Sequence, residues 1–492
     1  MKYNLIFIIL LISTSLSGQI LKKDSYHLIQ TDEEDSEYFL GNGIVDILIK
    51  DSLVWAGTGS GINKSSDGGR TWSTYDSHDY LCKGGISALG FMDDSTLWIA
   101  AAYDTFITSD GNQHLPAGGG LSYTRDFGVT WNRISQPKDA KNIEEYKPTT
   151  THVQNLTYDI AFLDSTIWIA SFGGGLRKSS NMGNNWEVVT TDYFPFSSLE
   201  YLNHRAFSLV SENGNIWVGT AEGISKSSDG GNIWRRFTHQ NQSFPIPGNF
   251  VVALAYQPYT GSVWAACKGI REYDITETDG VCKTDNGGET WEVVLDSIFA
   301  HNFAFYESKV YVAADEGLFV SDDGGETWYT LPNIRDYQTG EELINPQYYS
   351  AGISVENGNP RLWVGTSDGL AATNDNGNHW KVIRSYQATR KENVANTYAY
   401  PSPFSPFRNE GYIRFQYDIT QSTEVIIDIY DFAMDKVTTI REYETGPAGN
   451  SPDRSAKWDG RNKYGHVVAD GIYYFRVNID GEINWGKFVV IK

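Results

Sequence analysis

The chain is short of cysteine, with Cys82, Cys267 and Cys282 in 492 residues. An odd count gives no disulfide framework, and no Cys/His group has the spacing of zinc ligands. Cys267 and Cys282 flank one strand connection, where they either bridge its base or remain two thiols. Basic residues are also scarce, 39 against 61 acidic, for a formal net charge of −22. A surface of that sign repels phosphate backbones and anionic lipid, which excludes nucleic acid as a partner and suits solubility outside the cell. Long apolar runs are missing apart from Leu5–Ile12. With Lys2 before it and Ser15, Ser17 and Gly18 after it, that run is too short to span a bilayer and reads as an export signal over 1–18. No transmembrane segment is expected, and no cysteine near Gly18 marks a lipid anchor. No Gly-x-Ser-x-Gly elbow, Walker loop or His-Glu-x-x-His helix occurs. The glycine runs at 118–120 and 173–175 lie between strand-like segments, without the following helix that phosphate binding requires.

Aromatic residues and glycine are abundant instead: 15 Trp, 30 Tyr, 23 Phe and 48 Gly, against 15 Pro. That mixture points to short strands joined by tight turns. The length suits two or three domains, and the balance of 20% charged and 40% hydrophobic residues is globular. Residues 401–492 hold 11 basic and 13 acidic residues, so almost all of the acidity belongs to the first 400.

One pattern, Ser/Thr-x-Asp/Asn-x-Gly-x-x-Trp, occurs seven times: at 65–72, 124–131, 179–186, 227–234, 284–291, 321–328 and 373–380. Its acidic or amide residue and its tryptophan are Asp67 and Trp72, Asp126 and Trp131, Asn181 and Trp186, and Asp229 and Trp234. Asn286 and Trp291, Asp323 and Trp328, and Asp375 and Trp380 complete the set. Upstream of each lies an apolar–Trp/Tyr–apolar triplet, as in Val54-Trp55-Ala56 or Val310-Tyr311-Val312, then a Gly-apolar pair such as Gly61-Ile62. A further strand-like run precedes each triplet, for example Gly43–Ile49, Ile86–Phe91, Tyr158–Leu163 and Val251–Tyr256. Four short antiparallel strands per unit, seven times over, predict the blades of a seven-bladed β-propeller over 19–386. In each box the carboxylate or amide accepts N–H bonds of its own turn, the glycine permits positive φ, and the tryptophan packs beneath. Every unit carries the box, so its acids read as structural rather than catalytic or metal-binding. Neither a metal nor a cofactor is expected.

These residues resemble the Asp-box (BNR) repeat family of β-propellers over about 40–386. The resemblance implies the fold and leaves function open, since the family includes sialidases, sortilin-type receptors and xyloglucanases. After a polar linker at 387–399, the segment 400–492 predicts at least five strands, including Tyr412–Tyr417, Glu424–Tyr430, Lys436–Arg441, Gly471–Ile479 and Lys487–Ile491. Its YPSPF entry, IYDFAMDKV turn and WDGRNKYGHVVADGIYYFRV stretch resemble FlgD-type Ig-like domains and type IX secretion sorting tails. The resemblance implies a small Ig-like β-sandwich that folds separately and engages the secretion machinery.

A sialidase would need an arginine triad. Arg205, Arg271 and Arg335 fall in loops, but the family's FRIP-like motif is absent, with His204-Arg205-Ala206-Phe207 the nearest match. A xyloglucanase-like enzyme would need two carboxylates about 5–10 Å apart, usually between two propellers, and no such pair stands out. The expected function is therefore a secreted or cell-surface, non-enzymatic binder of a glycan or a protein; a carbohydrate-active enzyme is the alternative. In four-stranded blades the insertions at 102–120, 135–156, 190–205, 238–249, 267–280 and 332–350 all fall on the face opposite the boxes. That marks the binding face. Its candidate ligand contacts are Tyr103, Asp104, Tyr193, Phe194, His204, Arg205, Tyr273, Tyr348 and Tyr349, with His114 and Phe196 beside them and Arg205 ranked first.

Overall fold

The computed structural model describes residues 39–492 except 79, 108–112, 139–150, 271–274, 338–340, 344–346, 357, 386–395, 408–410, 420 and 445–453. The export signal, most of the linker and Tyr273 lie outside the described residues. The described residues form seven successive four-stranded antiparallel sheets, at 44–75, 85–134, 157–189, 206–237, 250–296, 300–330 and 348–383. Within each sheet the strands lie in sequence order, from an edge strand that we call the first to the one that follows the box. The first strands of consecutive sheets touch, and that of the seventh sheet touches that of the first.

The reason lies in the alternation of side chains. The second strands, such as Leu53–Thr58 and Asn215–Thr220, are largely apolar on both faces and buried from their second residue on, as in a sheet covered on both sides. Seven buried clusters result, each shared by two neighbouring sheets. The one that joins the ends of the series unites Ile44, Ile47 and Val54 with Trp363 and Leu370. Cys267 and Cys282 are buried, unbonded thiols in the cluster between the fourth and fifth sheets.

The boxes work across sheets as well as within them. Asp67 Oδ1 accepts the N–H groups of Arg70 and Thr71 at 2.9 and 3.0 Å, and Ser65 Oγ accepts that of Gly69 at 2.7 Å. Asn181 takes the N–H of Asn185 at 2.9 Å in the same way, because an amide oxygen serves as well as a carboxylate here. Gly69 has φ +82°, and a Cβ on it would lie 2.3 Å from the Trp363 ring of the seventh sheet; at Gly231 the clash would be 2.6 Å, with Trp168 of the third. The neighbouring ring therefore demands glycine as much as the turn does. Five box tryptophans meet a tryptophan of the adjoining sheet edge-on: Trp72 on Trp363, Trp131 on Trp55, Trp234 on Trp168 and Trp291 on Trp217 with centroids 6.2 Å apart, and Trp328 on Trp264 at 6.4 Å. Cations add cross-links to box carbonyls of the next sheet, from Lys64 to Phe127 (2.7 Å), Lys283 to Gly324 (2.8 Å) and Lys381 to Gly69 (2.8 Å).

Residues 398–490 form two further sheets around one core that includes Phe415, Trp458, Phe475 and Phe488. One sheet holds Tyr398–Tyr400, Ile413–Tyr417 and Arg454–Trp458; its first strand begins in the last two residues of the stretch read as linker. The other runs Lys436–Glu444, Thr423–Tyr430, Gly471–Ile479 and Glu482–Val490 in spatial order. The smaller sheet sits against the seventh sheet of the first region. Asp368 there accepts from both Arg384 and Arg414, and the Glu342 carbonyl accepts from Arg414 (2.9 Å) and Lys457 (3.2 Å). Asp368, Arg384 and Arg414 are each almost wholly buried. Burial and the neighbouring Arg414 push Lys457 down to about 8.

Candidate functional site

Strand order puts the first-to-second turns and the boxes on one side of the sheets, and the second-to-third loops and sheet connectors on the other. On the second side, Tyr103 and Asp104 belong to a hairpin, Leu97–Ile107 with Gln113–Thr124, that outreaches the other sheets. The Tyr103 ring lies 6.4 Å from that of His152, near parallel, under Lys83 Nζ at 3.6 Å. Tyr193 and Phe194 are exposed, and Phe194 stacks on Tyr201 at 5.3 Å.

His204 is buried. Its Nδ1 accepts the Ser197 N–H at 3.0 Å, so Nε2 carries the proton that meets Asp192 at 2.9 Å. Burial raises the Asp192 carboxyl, but hydrogen bonds from His204 and Asn203 outweigh it and hold the group below its usual range. This polar core organises the loop at 190–205 and gives His204 no face toward solvent. Arg205 is half-buried, with Nε on the Ser198 carbonyl at 2.6 Å and the guanidinium 5.3 Å above Phe172. Tyr348 is buried in the cluster with Ile334 and Leu343, and burial pushes its hydroxyl up to about 12. The structure thus gathers Phe194 and Arg205 on one loop, spends His204 and Tyr348 on packing, and leaves Tyr103 and Asp104 on the separate hairpin.

A feature without a sequence signature joins Arg205 to Tyr349. Every first strand has a β-bulge at its second or third residue: Val45, Ser87, Tyr158, Phe207, Val252, His301 and Tyr349. A bulge re-aims its side chain, and the repeat does so at one level on the long-loop side. Four of the seven are aromatic. Tyr158 lies 5.3 Å from Phe207, and Phe207 lies 4.5 Å from Phe250 and 6.1 Å from Phe172, a band that crosses three sheets. Phe299, His301 and Tyr349 form a second such group, at 4.8 and 5.8 Å, with Lys268 Nζ 4.7 Å above Phe299. Seven Cβ atoms at equivalent depth could be found from sequence only by aligning the first strands to the residue.

Just below the bulges stand Asp46 and Asp159. Each carboxylate accepts its neighbour's N–H, from Ile47 and Ile160, and a second N–H from the next sheet's first strand, Leu89 (3.2 Å) and Leu209 (2.7 Å). Burial outweighs these bonds and pushes the two carboxyls up, to about 7 and about 8. On the box side a cavity of about 520 Å³ is lined by Trp168, Lys178, Asn181, Trp186 and others. Among the described residues no group of three His, Cys, Asp or Glu is placed to hold a metal, and no helix is long and apolar enough to cross a membrane.

No family model matches the sequence, and no curated protein matches it. Among solved structures, the chain is similar to an ancestral GH74 enzyme, with 14% identity and a TM-score of 0.52 over 92% of this chain and 62% of that one. It is similar to the GH74 enzyme of Niastella koreensis at 13% and 0.50, over 92% and 73%. PorZ, a surface component of the type IX secretion system of Porphyromonas gingivalis, matches at 15% and 0.43, over 90% and 64%. The chain thus spans less than two thirds of the ancestral enzyme and of PorZ. At these identities the likeness shows the fold alone: all-β, built from four-stranded antiparallel sheets, with β-propeller proteins as neighbours.

Proposed function

We propose that residues 19–386 form a closed seven-bladed propeller of Asp-box repeats that binds a glycan or a protein through its long-loop side, without catalysis. Residues 400–492 would be its Ig-like, secretion-directing companion, and the mature protein would lie outside the cell or on its surface. Closure is supported by the cluster and the Trp72–Trp363 contact that join the first and seventh sheets as the other sheets are joined. The binding reading rests on the aromatic band from Tyr158 through Phe207 to Phe250 at the bulge level. Aromatic faces beside a few polar groups are what sugar rings and peptide side chains require.

Glycoside hydrolysis is the second reading, because Asp46 and Asp159 hold their protons near neutral pH as a general acid must. Both are already engaged by two main-chain N–H groups, which favours a clamp between sheets over chemistry. Residues 19–492 screened on glycan and protein arrays, and against fluorogenic glycosides, test the two readings. Tyr158→Ala with Phe207→Ala is expected to weaken binding at least tenfold at little change in melting temperature, and Lys178→Ala on the box side to leave it intact. Turnover abolished by Asp159→Asn would establish the enzyme instead.

A further inference from the structure

The sandwich at 398–490 has two outer faces. The smaller sheet's face is spent on the first region, through Arg414 and Lys457. The outer face of the larger sheet has a different character, set out by its register. One row reads Lys436, Tyr430, Tyr474, Lys487; the next Thr439, Asp428, Arg476, Trp485; the third Arg441, Ile426, Asn478, Ile483. Trp485 is half exposed, 5.6 Å from Tyr430, and the Arg476 guanidinium lies within 6.0 Å of both rings.

Asp428 at the centre is almost wholly buried, and Lys436, Thr439 and Arg476 all donate to it. Burial pushes its carboxyl up, but these donors overcome that and hold it at about 2. The buried acid thereby pins two cations among the rings. Lys487 is exposed and pairs with no carboxylate among the described residues.

We propose that this face is a docking surface for an acidic polysaccharide. In a chain whose net charge of −22 repels polyanions elsewhere, these three rows are a local exception: four cations stand against Asp428, with Glu424 of the adjoining row paired to Arg441 at 3.0 Å. The charge complementarity selects an anionic occupant. Exposed ring faces among those cations fit sugar rings bearing acid groups, which need apolar stacking and charge pairing together. An acidic polypeptide would use the cations but would instead favour pairing along a sheet edge.

Affinity electrophoresis of residues 19–492 in native gels containing polygalacturonate, dextran or polyglutamate tests this. Retardation by polygalacturonate at least tenfold stronger than by either of the others is expected. Trp485→Ala and Lys487→Glu, both at exposed positions, should each weaken it at least fivefold with the melting temperature retained. Tyr158→Ala should not, which separates this surface from the long-loop side. No retardation, equal retardation by polyglutamate, or loss in Tyr158→Ala with Trp485→Ala unaffected would each overturn the proposal.

Discussion

The two sides of the seven-sheet region are built on opposite rules. On the box side every sheet closes its turn with a side-chain acceptor, and most add a glycine under a neighbouring ring and a tryptophan set edge-on to a ring of the adjoining sheet. On the other side the connections range from two-residue turns, as at 59–60 and 221–222, to the extended hairpin of Leu97–Ile107 with Gln113–Thr124, and only the bulge level is common to all seven sheets. Repetition serves stability, which every sheet needs equally; variation is where a ligand can be told from its competitors. The lesson is that a residue present in every unit argues against a unique chemical role, and a side chain that differs at an equivalent backbone position argues for one.

The largest expected effect strikes the uniform side. Trp234→Ala removes a buried ring that packs on Trp168 and should lower the unfolding free energy by about 3–5 kcal/mol in denaturant titration. A loss under about 1 kcal/mol would mean the inter-sheet ring contact is not what joins the sheets. Next comes Arg414→Ala, which leaves the buried Asp368 with Arg384 alone. Removing one partner of a buried pair should cost about 3 kcal/mol and separate the unfolding of 398–490 from the rest in calorimetry; one unaltered transition would refute the coupling.

A pH effect follows. Asp46 and Asp159 have folded values raised above the unfolded one. The folded state therefore binds more protons, and stability is full below about pH 4 and declines as pH rises toward 8. Asp46→Asn with Asp159→Asn should flatten that decline in melting curves taken across the range, and an unchanged slope would assign it elsewhere. The smallest effect belongs to Asp323→Asn. Side-chain and main-chain bonds from Thr327 hold Asp323 at about 2, so its contribution is present above the unfolded value and lost as pH falls toward 2. Asn181 and Asn286 already fill this role, so the variant should match wild type at pH 7 and differ only in acid.

The boxes, the tryptophan triplets and the strands Gly85–Phe91 or Thr157–Leu163 were legible because their signals are local: a turn, a period of two, a glycine. The bulges were not, since a bulge depends on a partner strand's register, and Val252 and His301 share no side-chain property. His204 looked like a ligand contact because nothing near it in sequence reveals that Asp192 and Ser197 fold back on it. The strand Arg454–Trp458 went unread beside its turn, and Arg414 gave no sign of its distant partner Asp368.

The joint between the first and seventh sheets has a kinetic side. Each of those sheets is made wholly from its own stretch, 44–75 and 348–383, so they share no strand and meet only through side chains such as Trp72 on Trp363 and Arg361 on the Gly68 carbonyl. Every other inter-sheet contact can form as soon as the next repeat is available. This one brings together residues about 300 apart and bears the greatest loop-closure entropy in the region. The rate at which the chain matures is therefore set at that joint, and an arc of six finished sheets with a bare flank at either end is the species most exposed to association with its own kind.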